Sequence, residues 1–188
     1  MLILRSIKSN LVTQGFGIDQ TKASLLPMYH SLGLEAHNGV DFSAITGEEI
    51  RFNVDTRGTV MKLVDSPTQG IGVQVATEDT DGQVYMHIYW HLKGYVVKLG
   101  DYLDTGDLIG YADNTGRSTG THLHYGLYKT RKTVNGYQIQ NYLNGYGGAI
   151  NPWPFFKNIY VLNYIINLQA QVGILQKLVE LVRKLKDK

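Results

Sequence analysis

The sequence between residues 118 and 126 reads Ser118-Thr119-Gly120-Thr121-His122-Leu123-His124-Tyr125-Gly126, with two histidines one residue apart. Alternate residues of a β-strand point to the same face, so both imidazoles would face one site with their Cα atoms about 6.5–7 Å apart. A metal ion bound by one ring would leave the other just outside its coordination shell, where it could transfer a proton. An isolated pair of this kind is more often a surface or core feature, so its meaning depends on what else the chain supplies.

A second histidine motif lies upstream, at His37-Asn38-Gly39-Val40-Asp41. In an extended chain His37 and Asp41 would be about 13 Å apart, too far for both to bind one zinc ion at about 2 Å. The pair Asn38-Gly39 favours a turn, and glycine can supply a bend through a positive φ. The motif predicts either a metal site built on a bend or a plain turn before a strand.

The pair Asp81-Gly82 predicts a β-hairpin between Val73–Ala76 and Gln83–His91. Apolar residues alternate with aromatic residues and histidines in the second strand, which predicts one apolar, core-like face and one face that carries His87 and His91. These two histidines are four residues apart on one extended face. At most one of them can therefore belong to a zinc site.

The composition is that of a turn-rich, largely β protein, with 21 glycines, 13 tyrosines and 18% charged residues in 188. This length suits one domain with an appended segment. Short strands without a helical period between them predict an antiparallel β-sandwich or open barrel. The absence of cysteine leaves histidine and carboxylate as the ligands for any transition metal. A net charge of +2 without a basic run argues against a nucleic-acid partner.

Residues 158–188 follow a different pattern, in which apolar residues recur at the alternating spacings of four and three that form a heptad repeat. The seam consists of Val161, Ile165, Leu168, Val172, Leu175, Val179 and Val182. It predicts an amphipathic C-terminal α-helix about 45 Å long. Self-association into a homo-oligomer through the seam is favoured over packing back on the domain, and contact with a membrane surface is not expected.

The sequence contains no apolar run of about 18 residues, the minimum for a membrane-spanning helix. Its start, Met1–Arg5, lacks the apolar core and the small-residue cleavage site of a secretory signal. Export is therefore expected to be unconventional, to have followed removal of a signal, or to depend on another agent that delivers the protein.

Six segments, in order along the chain, resemble the lysostaphin-type (LytM-type) zinc endopeptidases of the bacterial cell wall. They are Gln14-Gly15-Phe16-Gly17, His37–Ala44, Tyr89-Trp90-His91-Leu92, Val97–Asp101, Gly106–Gly110 and Thr115–His124. The resemblance covers roughly residues 12–155. It implies a mainly β fold of the LytM type, related to the duplicated hybrid motif, in a peptidase domain of residues 1–157 that is followed by the C-terminal helix.

The resemblance also implies roles for five residues. The metal ligands would be His37, Asp41 and His124, which agrees with the three-ligand pattern of a catalytic zinc ion. The two histidines that are not ligands, His91 and His122, would be catalytic. Members of the family hydrolyse peptide bonds in peptidoglycan, with zinc lowering the pKa of water and polarising the scissile carbonyl. We expect His122 to accept the proton and His91 to stabilise the oxyanion, although the two could exchange roles.

Three features are expected to shape the cleft. With His91 taken as the family's histidine, His87 would be a neighbour that lines the cleft. Tyr29 is either the tyrosine that some members place near the oxyanion or a packing residue. The polar segment Thr133–Gly148 is predicted to be a long loop at the substrate groove.

Two other interpretations remain open. The chain could be a LytM-type module without catalysis that regulates a partner or binds the cell wall, or it could be a structural component of a phage tail that carries this domain. By the family resemblance we expect it to act outside the cytoplasm, at the cell wall. No residue in the sequence separates members that cut glycine cross-bridges from members that cut D-alanyl-diaminopimelate cross-links.

Overall fold

The computed structural model describes residues 1–4, 6–9, 11–134 and 136–156, together with Val172, Leu175 and Gln176. The chain divides into two compact units, Met1–Phe155 and Phe156–Lys188. Val172, Leu175 and Gln176 are helical and exposed. The rest of the heptad repeat lies outside the described residues, so the helix over 158–188 and its self-association stay predictions.

The described part of the first unit contains ten β-strands and one short α-helix, α1 at Leu26–Ser31. The strands are β1 Val12–Gln14, β2 Val40–Ser43, β3 Glu49–Arg51, β4 Gly58–Ser66, β5 Gly70–Glu78, β6 Val84–Tyr95, β7 Tyr102–Leu103, β8 Leu108–Ala112, β9 His122–Thr133 and β10 Gly136–Ile139. Short 3₁₀ helices lie at Ile18–Gln20, Ala23–Leu25 and Trp153–Phe155. No helix among the described residues is long and apolar enough to cross a membrane.

All strand pairs are antiparallel. The strands lie in the spatial order β1-β2-β9-β6-β5-β4-β7, with β10 beside β9 and with β8 beside both β3 and β6. The outermost strands of this order, β1 and β7, do not pair with each other in the described part of the chain, so the sheet is open. The prediction of a mainly β, antiparallel, open fold is confirmed.

The longest strands, β6 and β9, lie side by side at the centre of the sheet and pair from Val84 opposite Thr130 to Trp90 opposite His124. The hairpin that joins β5 to β6 turns at Gly82, whose φ of 79° is favourable only for glycine. The Gly82 N–H donates to the carbonyl of Asp79. The predicted Asp81-Gly82 hairpin is confirmed.

Both faces of β6 are buried. Met86 and Ile88 belong to an apolar cluster on one face, and His87 and Tyr89 are fully buried on the other. His87 Nδ1 lies 2.6 Å from the hydroxyl of Tyr125, and its Nε2 lies 2.8 Å from Thr77 Oγ1. The expectation that His87 lines the cleft is therefore wrong. A central strand buries both of its faces, so the polarity of a face does not show which one borders a cleft.

The buried His87 predicts an acid-sensitive fold. Burial lowers its pKa from 6.5 to about 3. Below pH 6.5 the unfolded chain takes up a proton that the folded chain does not, so the free energy of unfolding falls as the pH falls towards 3. From pH 7 to pH 5 this histidine should account for a loss of about 2 kcal/mol.

Urea unfolding of the wild type and of His87→Gln at both pH values measures this loss. The loss in the free energy of unfolding between pH 7 and pH 5 should be about 2 kcal/mol smaller in His87→Gln than in the wild type. His30→Gln, which changes an exposed histidine, should behave like the wild type. Equal losses in all three proteins would contradict the prediction.

The segment 133–148 is not one long loop, so that prediction is wrong in part. β9 continues to Thr133, and β10 returns along it with Gln138 opposite Arg131. The Arg131 guanidinium donates to the side-chain oxygen of Gln138 at 2.6 and 2.9 Å. The sequence carries short signals of this hairpin, because Asn135-Gly136 is a turn pair and Tyr137 and Ile139 alternate with glutamines. The strand is only four residues long, and the polar and glycine residues around it favour a loop.

Candidate active site

The pairing of β2 with β9 sets the register of the site. Asp41 lies opposite His124, and Ser43 lies opposite His122. On the other side of β9, Trp90 of β6 lies opposite His124. Neighbouring strands are about 4.8 Å apart, so this register brings the carboxylate and both histidines of the His-x-His motif to one place.

Three buried side chains converge there. His37 Nε2 lies 3.1 Å from Asp41 Oδ1 and 3.0 Å from His124 Nδ1, and His124 Nδ1 lies 3.0 Å from Asp41 Oδ1. In the described part of the chain, these residues form a group with the composition and spacing of a metal site. The ring of Trp90 stacks on His124, with centroids 5.2 Å apart and planes 14° from parallel.

The chain bends at Gly39, just before β2 begins. A Cβ at this position would lie 2.6 Å from the ring of His124 and 2.7 Å from the carbonyl oxygen of Tyr125. The φ of Gly39 is not positive, in contrast to our expectation. The glycine is required because the His124 ring packs directly against the backbone, and no other residue leaves space for it.

The hydrogen bonds around the cluster orient its lone pairs inwards. His37 Nδ1 donates to the carbonyl of Gly15 at 2.8 Å, so in a neutral ring Nε2 carries a lone pair that faces Asp41. Burial opposes ionisation of Asp41, but His37 and His124 outweigh it and hold the pKa of this carboxyl well below its ordinary value. Burial lowers the pKa of His124, which favours its neutral form.

This arrangement fits a zinc ion. Two lone-pair-bearing atoms that face each other at 3.1 Å are stabilised by a cation between them. At bond lengths of about 2.0–2.1 Å, the ligand atoms of a tetrahedral zinc site lie about 3.3 Å apart. The three distances of 3.0–3.1 Å therefore need to widen by only a few tenths of an ångström. The other ring nitrogen of His124, Nε2, is not one of the converging atoms. It is buried beside Gly39 and has no hydrogen-bond partner among the described residues.

His122 lies beside the cluster. Its Nδ1 donates to the carbonyl of Gly120 at 2.7 Å, and its Nε2 lies 3.6 Å from Asp41 Oδ1. In the neutral ring Nε2 is then free to accept a proton and faces the cluster. This position just outside the three converging atoms is the one that the His-x-His spacing predicts.

His91 completes the site from the end of β6. Its ring centroid lies 4.7 Å from that of His122, and its Nδ1 donates to the carbonyl of Thr115 at 2.7 Å. Burial, together with the neighbouring His124 and His122, lowers the pKa of His91 to about 4. At neutral pH the ring is uncharged, with a lone pair on Nε2.

The backbone of His91 explains how it leaves the face of His87. Its φ is +65°, in the left-handed region that non-glycine residues rarely adopt. The registers of β6 with β5 and with β8 both shift close to this residue. A side chain that strict alternation would place in the interior is thereby turned towards the histidine cluster. Strained backbone of this kind concentrates at functional sites.

The cluster opens into a groove with a volume of about 620 Å³. Met28 and Tyr29 of α1, Met86 and Ile88 of β6, and Tyr137 of β10 contribute to its lining. The hydroxyl of Tyr29 accepts a hydrogen bond from Gln14 Nε2 at 2.6 Å, and its ring centroid lies 5.7 Å from that of His37. Tyr29 thus combines packing with a place at the groove.

Two parts of this site are not indicated by the sequence. Alternation along β6 predicts that Trp90 joins the apolar face of Met86 and Ile88, and it does pack on that cluster. It also stacks on a cluster histidine and lines the groove, which alternation does not indicate. The carbonyl groups of Gly15, Thr115 and Gly120 orient three of the histidines, and backbone acceptors leave no side-chain signal.

Comparison with known proteins gives a consistent result. A model of peptidase family M23 matches residues 35–136. The chain is 37% identical over 99 residues to the peptidoglycan DD-endopeptidase ShyA of Vibrio cholerae, covering 53% of this chain and 22% of that protein. It is 33% identical over 122 residues to lysostaphin of Staphylococcus simulans, covering 65% of this chain and 22% of that protein.

Among solved structures, LytU matches with a TM-score of 0.54 and 30% identity, covering 80% of this chain and 85% of that one. The chain spans only 22% of the length of the two relatives ShyA and lysostaphin. The segment that matches the family model contains the four histidines and the aspartate of the site, which are His37, Asp41, His91, His122 and His124.

Proposed function

Because this chain belongs to peptidase family M23, we propose that it is a zinc-dependent endopeptidase that hydrolyses peptide bonds in peptidoglycan. The observation that carries the proposal is the convergence of His37, Asp41 and His124 at the groove, with His122 and His91 beside them. Curated relatives are named as peptidoglycan endopeptidases and glycyl-glycine endopeptidases, which supports the same class of substrate.

We propose that His37, Asp41 and His124 hold the zinc ion through Nε2, Oδ1 and Nδ1. When bound, zinc supplies Lewis acidity, which lowers the pKa of an attacking water and polarises the scissile carbonyl. The carbonyl of Gly15 holds His37 in the tautomer that keeps Nε2 available. The stacked Trp90 restricts the tilt of the His124 ring.

His122 is proposed to be the general base. Its Nε2 faces the cluster with a lone pair, because Nδ1 donates to Gly120. It takes a proton from the attacking water and then delivers that proton to the leaving amine.

His91 is proposed to stabilise the oxyanion. It can donate only from a protonated Nε2, because Nδ1 already donates to Thr115. Its lowered pKa, about 4, means that this proton must arrive during the reaction. We propose that His91 takes this proton from solvent as negative charge forms on the oxyanion and returns it to solvent when the intermediate collapses. The proton on His122, whose ring centroid lies 4.7 Å away, goes to the leaving amine.

The substrate also sets where the protein acts. Peptidoglycan lies outside the cytoplasmic membrane, so we propose that the chain acts at the cell wall. Self-association through residues 158–188 is a separate proposal, which sedimentation of the full chain against a chain truncated after Lys157 tests. Equal numbers of protomers in the two species would contradict it.

The function is tested with the purified full chain, its zinc content measured by elemental analysis and its activity measured on purified sacculi of several wall chemistries. We expect one zinc per chain, clearing of at least one wall type, and new amino termini in the released peptides. A zinc chelator should stop the clearing, and added zinc should restore it. One zinc per chain without cleavage of any wall type would contradict the proposed function and favour a module that only binds.

A further inference from the structure

The charged side chains of the groove are unevenly distributed. Apart from histidines, the described residues that line it include the cations Lys22 and Arg117 and a single carboxylate, Asp41. Asp41 is committed to the histidine cluster, where its Oδ1 lies 3.0–3.6 Å from His37, His122 and His124. The remainder of the groove therefore presents positive charge to a substrate.

The backbone of Arg117 is anchored at the rim of this groove, and its side chain is exposed. Its backbone N–H donates to the carbonyl of Thr68 at 2.8 Å, and the adjacent Gly116 packs so closely on Gly70 that a Cβ there would lie 2.2 Å from the Gly70 nitrogen. The guanidinium extends to α1, where Nη1 donates to Ser31 Oγ at 3.5 Å. The residue thus links the loop that precedes His122 to α1.

The Arg117 guanidinium is available to a ligand. Its contact with Ser31 is long and involves one of five N–H donors. No carboxylate within the described ranges pairs with it, in contrast to Arg51 with Glu49 and Arg57 with Asp104. A guanidinium recognises a carboxylate through two parallel hydrogen bonds, a geometry that a neutral amide cannot match.

Arg117 also lies close to the proposed chemistry. The next residue, Ser118, places its Oγ 3.3 Å from His122 Nδ1. Arg117 and the histidine cluster line the same groove, so a substrate bound across the cluster passes the loop that carries Arg117.

From these observations we infer that Arg117 binds a carboxylate carried by a residue next to the scissile bond. The preferred substrates are then stem peptides with a free carboxylate at the cross-link, rather than glycine bridges, whose residues have no side chains. This inference rests on the proposed function, because it names the substrate class of the same site. Lys22 adds positive charge that favours the approach of such an anion.

The test uses two synthetic cross-linked peptides that differ only in one group, a free carboxylate or the corresponding carboxamide next to the scissile bond. Wild type should cleave the carboxylate peptide with a kcat/KM about 10- to 100-fold higher, the range expected for a hydrogen bond to a charged group. Arg117→Gln should lose this preference, because its kcat/KM should fall by about 10- to 100-fold more for the carboxylate peptide than for the carboxamide peptide. Arg57→Gln, the matched control, removes an exposed arginine outside the groove and should keep the preference.

Two results would overturn the inference: equal cleavage of both peptides by wild type, or an unchanged preference in Arg117→Gln. Calorimetry on proteins that carry His122→Ala measures binding of the two peptides without turnover. With Arg117 present, the carboxylate peptide should bind at least about 10-fold more tightly than the carboxamide peptide. With Arg117→Gln added, the two peptides should bind equally. If neither peptide is cleaved but this binding difference is seen, the proposed function fails and the recognition by Arg117 stands. If no binding difference is seen, the recognition fails.

Discussion

The His122→Ala variant should lose peptide hydrolysis by a factor of about 10²–10⁴, the usual contribution of a positioned general base. It should nevertheless retain one zinc per chain, because the three atoms that converge in the cluster belong to His37, Asp41 and His124. His122 Nε2 lies 3.6 Å from Asp41 Oδ1, farther than any distance within that trio. Zinc content by elemental analysis and turnover of a soluble peptide measure the two effects separately.

His30→Ala serves as the control, since it removes an exposed histidine that does not line the groove. It should keep both zinc and activity. Loss of zinc from His122→Ala would show that this histidine is a ligand. Full activity with zinc retained would show that it is not the base.

The His124→Ala variant should lose the zinc ion and, with it, all measurable hydrolysis. Wild type should be stabilised by about 4 kcal/mol when free zinc is 1,000-fold above its dissociation constant. In His124→Ala the free energy of unfolding should no longer respond to zinc or to a chelator. Chemical unfolding with and without zinc measures this response directly, apart from the packing cost of the substitution itself.

His87→Gln is the matched control for this effect. His87 is as deeply buried in the same sheet but lies outside the converging trio. Its variant should keep the full response of stability to zinc. A zinc response that survives in His124→Ala would remove this residue from the proposed ligand set.

The sequence was sufficient to predict the antiparallel β fold and the residues that meet in the cluster. The Asp81-Gly82 turn signal is local, and the His37-x₃-Asp41 motif could bind one ion only with a bend, which the chain makes. The three-ligand composition followed from the absence of cysteine together with the family resemblance.

The features that were missed depend on residues far apart in the chain. Strict alternation along β6 would keep His91 on the face of His87, and the positive φ of His91 with the nearby register shifts separates them. The need for Gly39 comes from the ring of His124, which lies more than eighty residues later in the sequence. β10 contributes Tyr137 and Ile139 to the groove, although it is only four residues long and lies within a stretch rich in polar residues and glycine. Single-sequence patterns do not carry such long-range contacts.

The pairing of β2 with β9 also has a consequence for the order of events during maturation. Asp41 and His124 are 83 residues apart in sequence, and they meet only once these two strands have paired. Closing so long a loop is entropically unfavourable and slow compared with forming a local hairpin such as β5–β6. Before these strands pair, the proposed ligands are scattered along the chain, so we expect strand pairing to precede high-affinity binding of zinc. A zinc ion held at the proposed site is therefore expected to act as a late cross-link that slows the separation of β2 from β9.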